Sequence, residues 1–333
     1  MARELVPLTA DDGAASQAAL YRPTDREPKA ALVLMHPTVS FMHHYALIPL
    51  AKRGFAALGA DSRYAGNEAA LLIDRVATDL SAAIGWLRKR FARVVLVGNS
   101  GGGALVAYHQ AREAAADALI LLNAHRGRAQ VLTAWLDPAV VDEADPFGRD
   151  PDLDLFDAAR RPPFDSGFVA RYRAAQEARN RRISDWARAR LAEYDRPFVV
   201  HCTAADPRFL DLELDPSDRE VGTYWGSDVR AANYATLGLA RFTTCRSWLS
   251  QWSLADSEAA AEPNLARCRV PVLVIQGTAD QGIFPSDALG LAGAVGAEVH
   301  WIGRGTHYFL GQPEHQRQVY DLIESWLEGS GLA

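Results

Sequence analysis

Residues 93–110 read RVVLVGNSGGGALVAYHQ, and the parsing of that stretch decides the fold. Residues 94–97 are a short, apolar, β-branched run, as in a strand buried on both faces of a parallel sheet. Gly98-Asn99-Ser100-Gly101-Gly102 follows at once, and residues 104–116 read as a helix packed by small side chains. Strand, tight turn and helix, with Ser100 at the tip and glycine two positions away on each side, make the G-x-S-x-G pattern that presents a nucleophile. The turn strains the backbone at Ser100, so its neighbours must lack a Cβ to clear the strand and the helix. The first N–H groups of the helix then face whatever Ser100 attacks. By composition alone such a pattern arises in on the order of one chain in ten of this length, so it is weak without its context. Two alternatives fail on residues: no Lys follows as a phosphate-binding loop requires, and Ser100 stands where a dinucleotide loop needs its second glycine; a plain glycine-rich strand-to-helix turn of an α/β protein stays open at this point.

The chain has 333 residues, 49% of them hydrophobic, which suffices for one large α/β domain with an insertion or for two domains. A net charge of −6 gives no reason to expect nucleic acid or an anionic membrane surface as a partner. Cys202, Cys245 and Cys268 are sparse, lack metal-type spacing and fit a reducing compartment. The first residues, MARELVPLTADDGAASQ, hold no apolar signal segment, and no apolar window is long enough to span a bilayer, so a cytoplasmic location is expected.

Outward from residue 93, the pattern alternates strand and helix. Residues 4–9 and 17–22 flank the turn signal Asp11-Asp12-Gly13 and read as an edge hairpin. Residues 30–35 are a buried strand ending in His36-Pro37-Thr38-Val39-Ser40. Residues 41–53 read as a helix, 55–60 as a strand and 71–91 as a long amphipathic helix. Residues 118–122 form one more strand, ending at Asn123-Ala124-His125. The alternation then stops. Residues 125–266 are polar, Arg-rich and aromatic, and are read as an insertion, a mainly helical cap, with helices over 168–194 and 233–252 and a short strand within 197–202. Leu237 is one apolar position of the second helix. The arginines of the first helix read as a solvated face. The sheet resumes with strands at 270–276 and 298–302 and helices at 286–295 and 313–327. The reading is an α/β fold with a doubly wound, mostly parallel sheet, its core formed by 1–124 and 267–333.

In such sheets reactive groups gather at the carboxyl ends of strands. Three strand ends carry complementary chemistry: Ser100, Asp280 and His307, in that chain order. A serine hydroxyl needs a base within hydrogen-bond reach, His307 suits that task, and a carboxylate such as Asp280 can hold the imidazole tautomer. Asp206 and Asp256 are competing acids, both inside the insertion.

These residues carry a resemblance. The motifs VLMHPT, GNSGGG, VLVIQGTAD followed by Phe284-Pro285, and GTHYF resemble those of the α/β-hydrolase superfamily over residues 30–124 and 267–328. The resemblance implies a fold of that type with Ser100 as nucleophile, Asp280 as triad acid and His307 as base. It further implies that the N–H of Gly101 is one oxyanion donor. The second would come from the loop after Met35, where His36-Pro37-Thr38 replaces the family's usual His-Gly; Thr38 is the expected donor and Val39 the fallback. Relatives that use Asp in place of Ser100 are haloalkane dehalogenases and epoxide hydrolases, so neither activity is expected. A serine implies an acyl-enzyme and a carboxylesterase-like activity (class EC 3.1.1), with thioester, amide and C–C bond cleavage as alternatives on the same triad. A hydrolase-like protein that only binds a small ligand, and a scaffold built on the Arg-rich helix, are the readings from other classes.

His36, Val39, His43, Trp225 and Phe284 are expected to line the substrate pocket, with cap aromatics Trp135, Tyr172, Trp186, Tyr224, Tyr234 and Trp248 as further candidates. No cofactor and no metal are expected, since His43 and His44 lack a third ligand. The expected partner is a small acyl substrate, not a membrane or a nucleic acid, and a homodimer stays open.

Overall fold

The computed structural model describes every residue except Tyr224 and Leu237. The expectations placed on those two, a pocket aromatic and an apolar helix position, lie outside the described residues. The chain opens with the hairpin β1 (Ala2–Thr9) and β2 (Ala15–Arg22), followed by β3 (Ala31–His36), α1 (Leu47–Lys52) and β4 (Ala56–Asp61). Next come α2 (Ile73–Arg88), β5 (Val94–Asn99), α3 (Gly102–Glu113) and β6 (Ala118–Leu122). The region that follows holds α4 (Arg128–Trp135), the hairpin β7 (Val140–Asp142) and β8 (Asp145–Arg149), and the long helix α5 (Ser166–Leu191). It continues with β9 (Pro197–Val199), α6 (Val229–Tyr234), β10 (Phe242–Thr244), α7 (Cys245–Gln251) and α8 (Ala261–Leu265). The chain then closes with β11 (Val272–Gly277), α9 (Pro285–Val295), β12 (Val299–Ile302) and α10 (Pro313–Gly329).

One sheet of eight strands, in the order β1-β2-β4-β3-β5-β6-β11-β12, forms the frame. Only β1 and β2 run antiparallel to their neighbours. The interior strands β3, β4, β5, β6 and β11 are buried at every position because helices cover both faces. Ala31, Val33 and Met35 of β3 point into a core shared with α2, α3, α8 and α9, whereas Leu32 and Leu34 point into one shared with α1 and α10. The same alternation runs along β5, where Val94 and Leu96 face the first core and Val95 and Val97 the second.

Two helices differ from the expectation. The helix anticipated over 41–53 begins only at Leu47. Residues 41–46 run over the sheet instead, so tightly that a Cβ at Gly59 would sit 2.0 Å from the Phe41 carbonyl oxygen. The helix anticipated over 233–252 is two helices with β10 between them. Ala235 leaves α6 in an extended conformation, and Thr244 caps α7 by accepting from the Ser247 N–H. β10 pairs with β9, which satisfies a ladder that a continuous helix would have left unmade.

The region between β6 and β11 has small cores of its own, one around Leu132, Ile183, Trp248 and Trp252. The arginines of α5 form a solvated face only in part: Arg171, Arg181, Arg182 and Arg188 are exposed as expected, whereas Arg173 and Arg179 turn inward. Arg179 is 1% exposed at its side chain and donates to the carbonyls of Asp137, His201 and Cys202 and to Glu143. Arg173 reaches Asp206 and the Ala134 carbonyl. Irregular chain leaves carbonyls without ladder partners, and a guanidinium with five donors supplies them. The loop before α2 clasps this region: Glu68 accepts from Arg128 (2.6 Å) and the Ala240 N–H (3.1 Å), and its carbonyl accepts from Gln251 (3.1 Å).

Candidate active site

The turn between β5 and α3 holds Ser100 at φ 54°, in the left-handed region that a side chain enters only under constraint. The constraint is close packing of strand against helix. A Cβ at Gly98 would lie 2.6 Å from the Gly103 Cα, and one at Gly101 would lie 2.7 Å from His36 Nε2. Ser100 is pinned on both sides, its N–H donating to the Leu122 carbonyl and its own carbonyl accepting from the Gly103 and His125 N–H groups.

His307 lies in the loop after β12. Its Nδ1 donates to Asp280 Oδ2 at 2.7 Å, and its Nε2 accepts from the Ser100 hydroxyl at 2.9 Å. Asp280 follows β11 and is 1% exposed. Its Oδ1 accepts from the N–H groups of Gly282 (2.8 Å) and Ile283 (3.0 Å), which hold the carboxylate toward the imidazole. The structure therefore brings Ser100, His307 and Asp280 into one hydrogen-bonded chain. The competing acids are engaged elsewhere: Asp206 is buried between Arg173 and Arg208, and Asp256 pairs with Arg188. Burial works against ionisation of Asp206, yet the two guanidiniums hold its carboxyl below the usual range.

Asn123 organises the crevice. The pairing of β6 with β11 runs as far as Leu122 and Ile275. Beyond it the Asn123 side chain accepts from the Gly277 N–H (2.8 Å) and donates to the His307 carbonyl (2.8 Å). One amide thus bridges two diverging strands to the histidine loop.

The oxyanion donors expected from the loop after Met35 are turned elsewhere. The N–H groups of Thr38 (3.1 Å) and Val39 (3.0 Å) both donate to His36 Nδ1. The cause is the fold-back at Pro37, whose carbonyl accepts from Ser62 Oγ while the Thr38 carbonyl accepts from the Gly66 N–H. Because Nδ1 accepts, the His36 proton sits on Nε2, the atom beside Gly101. Burial, with Arg128 and His307 nearby, pushes the His36 pKa down to about 3, so the ring is neutral.

Of the expected pocket residues, Val39 is exposed and His43 faces solvent, while Trp225 is partly exposed with its ring against Trp135. Phe284 does not line a cleft: it is 0% exposed and packs with Val131, Trp135 and Phe209. Trp135, Tyr172 and Trp248 are buried as well, and Trp186 and Tyr234 are partly exposed. His44, not His43, turns inward, donating from Nε2 to Asn99 at 3.2 Å. Two features escaped the sequence reading. One is Asn123. The other is His125, whose Nε2 lies 3.3 Å from Ser100 Oγ. Both stand at the end of β6, where a rule that polar residues after a parallel strand face the crevice would have found them.

A cavity of about 280 Å3 lies between Arg126, Arg173, Arg208 and Trp135, and neither Ser100 nor His307 lines it. Among the described residues no cluster of three or more His, Cys, Asp or Glu side chains could hold a metal ion. Among them, too, no helix is long and apolar enough to cross a membrane.

Solved structures match this architecture over almost the whole chain. An esterase domain from Rhodothermus marinus is 16% identical, with 98% of each chain covered and a TM-score of 0.52. Est1E from Butyrivibrio proteoclasticus is 14% identical, with 99% of each chain covered and a TM-score of 0.55. A thermophilic esterase from Thermogutta terrifontis is 17% identical, covering 98% of this chain and 99% of its own, with a TM-score of 0.51. No protein-family model and no curated sequence matches. With its strand order and these neighbours, the chain has the α/β-hydrolase fold.

Proposed function

We propose that the protein is a serine hydrolase that cleaves a carboxylic ester. The observation that carries this reading is the Ser100–His307–Asp280 chain, with contacts of 2.9 and 2.7 Å at a strained strand–helix turn. Ser100 attacks the acyl carbon as its proton passes to His307 Nε2, and Asp280 steadies the imidazolium that results. The Gly101 N–H holds the oxyanion. With the Thr38 and Val39 N–H groups on His36 Nδ1, the Nε2–H of His36 is the second donor. Each such donor contributes about 3 kcal/mol to the transition state in comparable enzymes. His307 then protonates the leaving alcohol, and water releases the acyl group by the reverse sequence. The region over residues 125–266 acts as the cap that selects the acyl substrate.

Esterases are among the fold neighbours, so an ester is the first substrate to try, with an amide and a diketone alongside it. An aryl phosphonate should label Ser100 stoichiometrically, and Ser100→Ala should lose turnover of an activated aryl ester while its unfolding transition stays close to wild type. Retention of most of the activity by that variant would remove the proposal.

A further inference from the structure

His125 is the one imidazole besides His307 that the described residues place against the Ser100 hydroxyl. Its backbone N–H donates to the Ser100 carbonyl (2.9 Å), which fixes the His125 main chain beside the nucleophile. Its Nε2 stands 3.3 Å from Ser100 Oγ, and its ring centroid 6.4 Å from that of His307. The side chain is 6% exposed, and its Nδ1 is buried without a hydrogen-bond partner among the described residues.

These contacts assign the protons. Ser100 has one hydroxyl hydrogen, and it points to His307, whose Nδ1–H is already committed to Asp280. The second contact to Oγ therefore needs its hydrogen from His125. A buried N–H without an acceptor costs more than a bare lone pair, which also puts the His125 proton on Nε2 rather than Nδ1. His125 is a poor base for the same reason: no carboxylate meets its Nδ1, and its burial, together with His307, His36 and Arg128, keeps the ring neutral. The two imidazoles on one oxygen thus have different tasks.

We propose that His125 is a second catalytic imidazole, which donates a hydrogen bond to Ser100 Oγ and thereby speeds breakdown of the acyl-enzyme. The proposal rests on the serine-hydrolase reading above. In acylation the C–Oγ bond forms while the hydroxyl proton passes to His307. In deacylation water adds to the acyl carbon and gives its proton to His307. The C–Oγ bond then breaks, its electron pair stays on Oγ, and His307 returns the proton to that oxygen. His125 keeps its own proton throughout. Its bond to Oγ is present in the free hydroxyl, weak to the ester oxygen of the acyl-enzyme, and strong to the alkoxide-like oxygen of the transition states. An interaction that strengthens between ground and transition state accelerates a step, so His125 acts chiefly on deacylation.

Single-turnover and steady-state kinetics of the full chain with an activated aryl ester separate the two steps. His125→Met should slow deacylation about tenfold, the scale of one hydrogen bond to a charged oxygen, and leave acylation nearly unchanged, so that acyl-enzyme accumulates and is seen by mass. His125→Gln, whose amide N–H reaches the same oxygen, should restore most of the deacylation rate. Equal losses in both steps, or a Gln variant as slow as the Met variant, would overturn the proposal. Nitrogen-15 spectra of the wild type give a readout that needs no variant: a protonated Nε2 and a bare Nδ1 support the assignment, and the opposite tautomer overturns it. A wild type that an aryl phosphonate leaves unlabelled at Ser100 defeats the hydrolase reading itself. A labelled wild type whose Met variant accumulates no acyl-enzyme defeats only the role of His125.

Discussion

The sheet and the region between β6 and β11 are stabilised by different means. Interior strands satisfy their backbones by ladder pairing and bury side chains on both faces in strict alternation. The intervening region has short strands, and guanidiniums such as Arg179 cap carbonyls the ladders cannot reach. The first arrangement places strand ends to within a hydrogen bond. The second tolerates irregular chain but leaves the region dependent on a few buried cations.

The largest expected effect tests the first half of that contrast. Asp280→Asn replaces an acceptor of the His307 Nδ1–H by an amide that can favour the wrong tautomer, and kcat on an ester should fall on the order of 10⁴-fold. A drop below about tenfold would mean that this strand end does not orient the base. Arg179→Met tests the second half: it removes a donor from each of three carbonyls and leaves Glu143 only its pair with Arg182, at an expected cost of about 3 kcal/mol. Hydrogen exchange should show the loss concentrated at residues 137–143 and 199–205, and an equal loss in β3–β6 would erase the distinction. Asn123→Ala returns to the strand ends of the sheet. It cuts the tie to the His307 carbonyl, and kcat should fall by about tenfold to a hundredfold with KM little changed. Unchanged kcat would show that the histidine loop needs no such tether.

The smallest effect per residue is one of pH. Burial pushes the pKa of His44 and His109 down to about 4 and that of His36 to about 3. All three pack on the sheet side. Unfolded, these rings take a proton near pH 6.5; folded, they refuse it until far lower. Their contribution is therefore complete above pH 6.5 and is lost on acidification toward pH 4, by about 1.4 kcal/mol per pH unit for each ring. Urea midpoints at pH 7 and pH 5 should separate accordingly, and His109→Gln should flatten the slope. A slope that His109→Gln leaves as steep would assign the acid sensitivity elsewhere.

How much of this was legible in the sequence follows from the same contrast. The β-branched runs before Ser100, Asp280 and His307 announce strands, and strand ends of a parallel sheet meet along one crevice, so their meeting could be read residue by residue. The donors from Thr38 and Val39 could not, because which way an N–H points depends on the Pro37 fold-back and on Ser62, distant in sequence. Phe284 reads as a pocket residue from its place after Asp280, but its ring is used to dock the intervening region. In that region the helix over 233–252 fails for a physical reason: the apolar spacing is right, while Thr244 ends one segment and caps the next.

The clasp at Glu68 bears on traffic. Only 8% of Ser100 and 3% of His307 meet solvent, so protein covers nearly all of both residues. Glu68 ties the loop before α2 to Arg128, Ala240 and Gln251 at once, so one side chain joins the sheet's loop to the intervening region. On the proposed hydrolase reading, a substrate path past this loop would make solvent viscosity a variable of turnover, and Glu68→Gln would weaken that dependence.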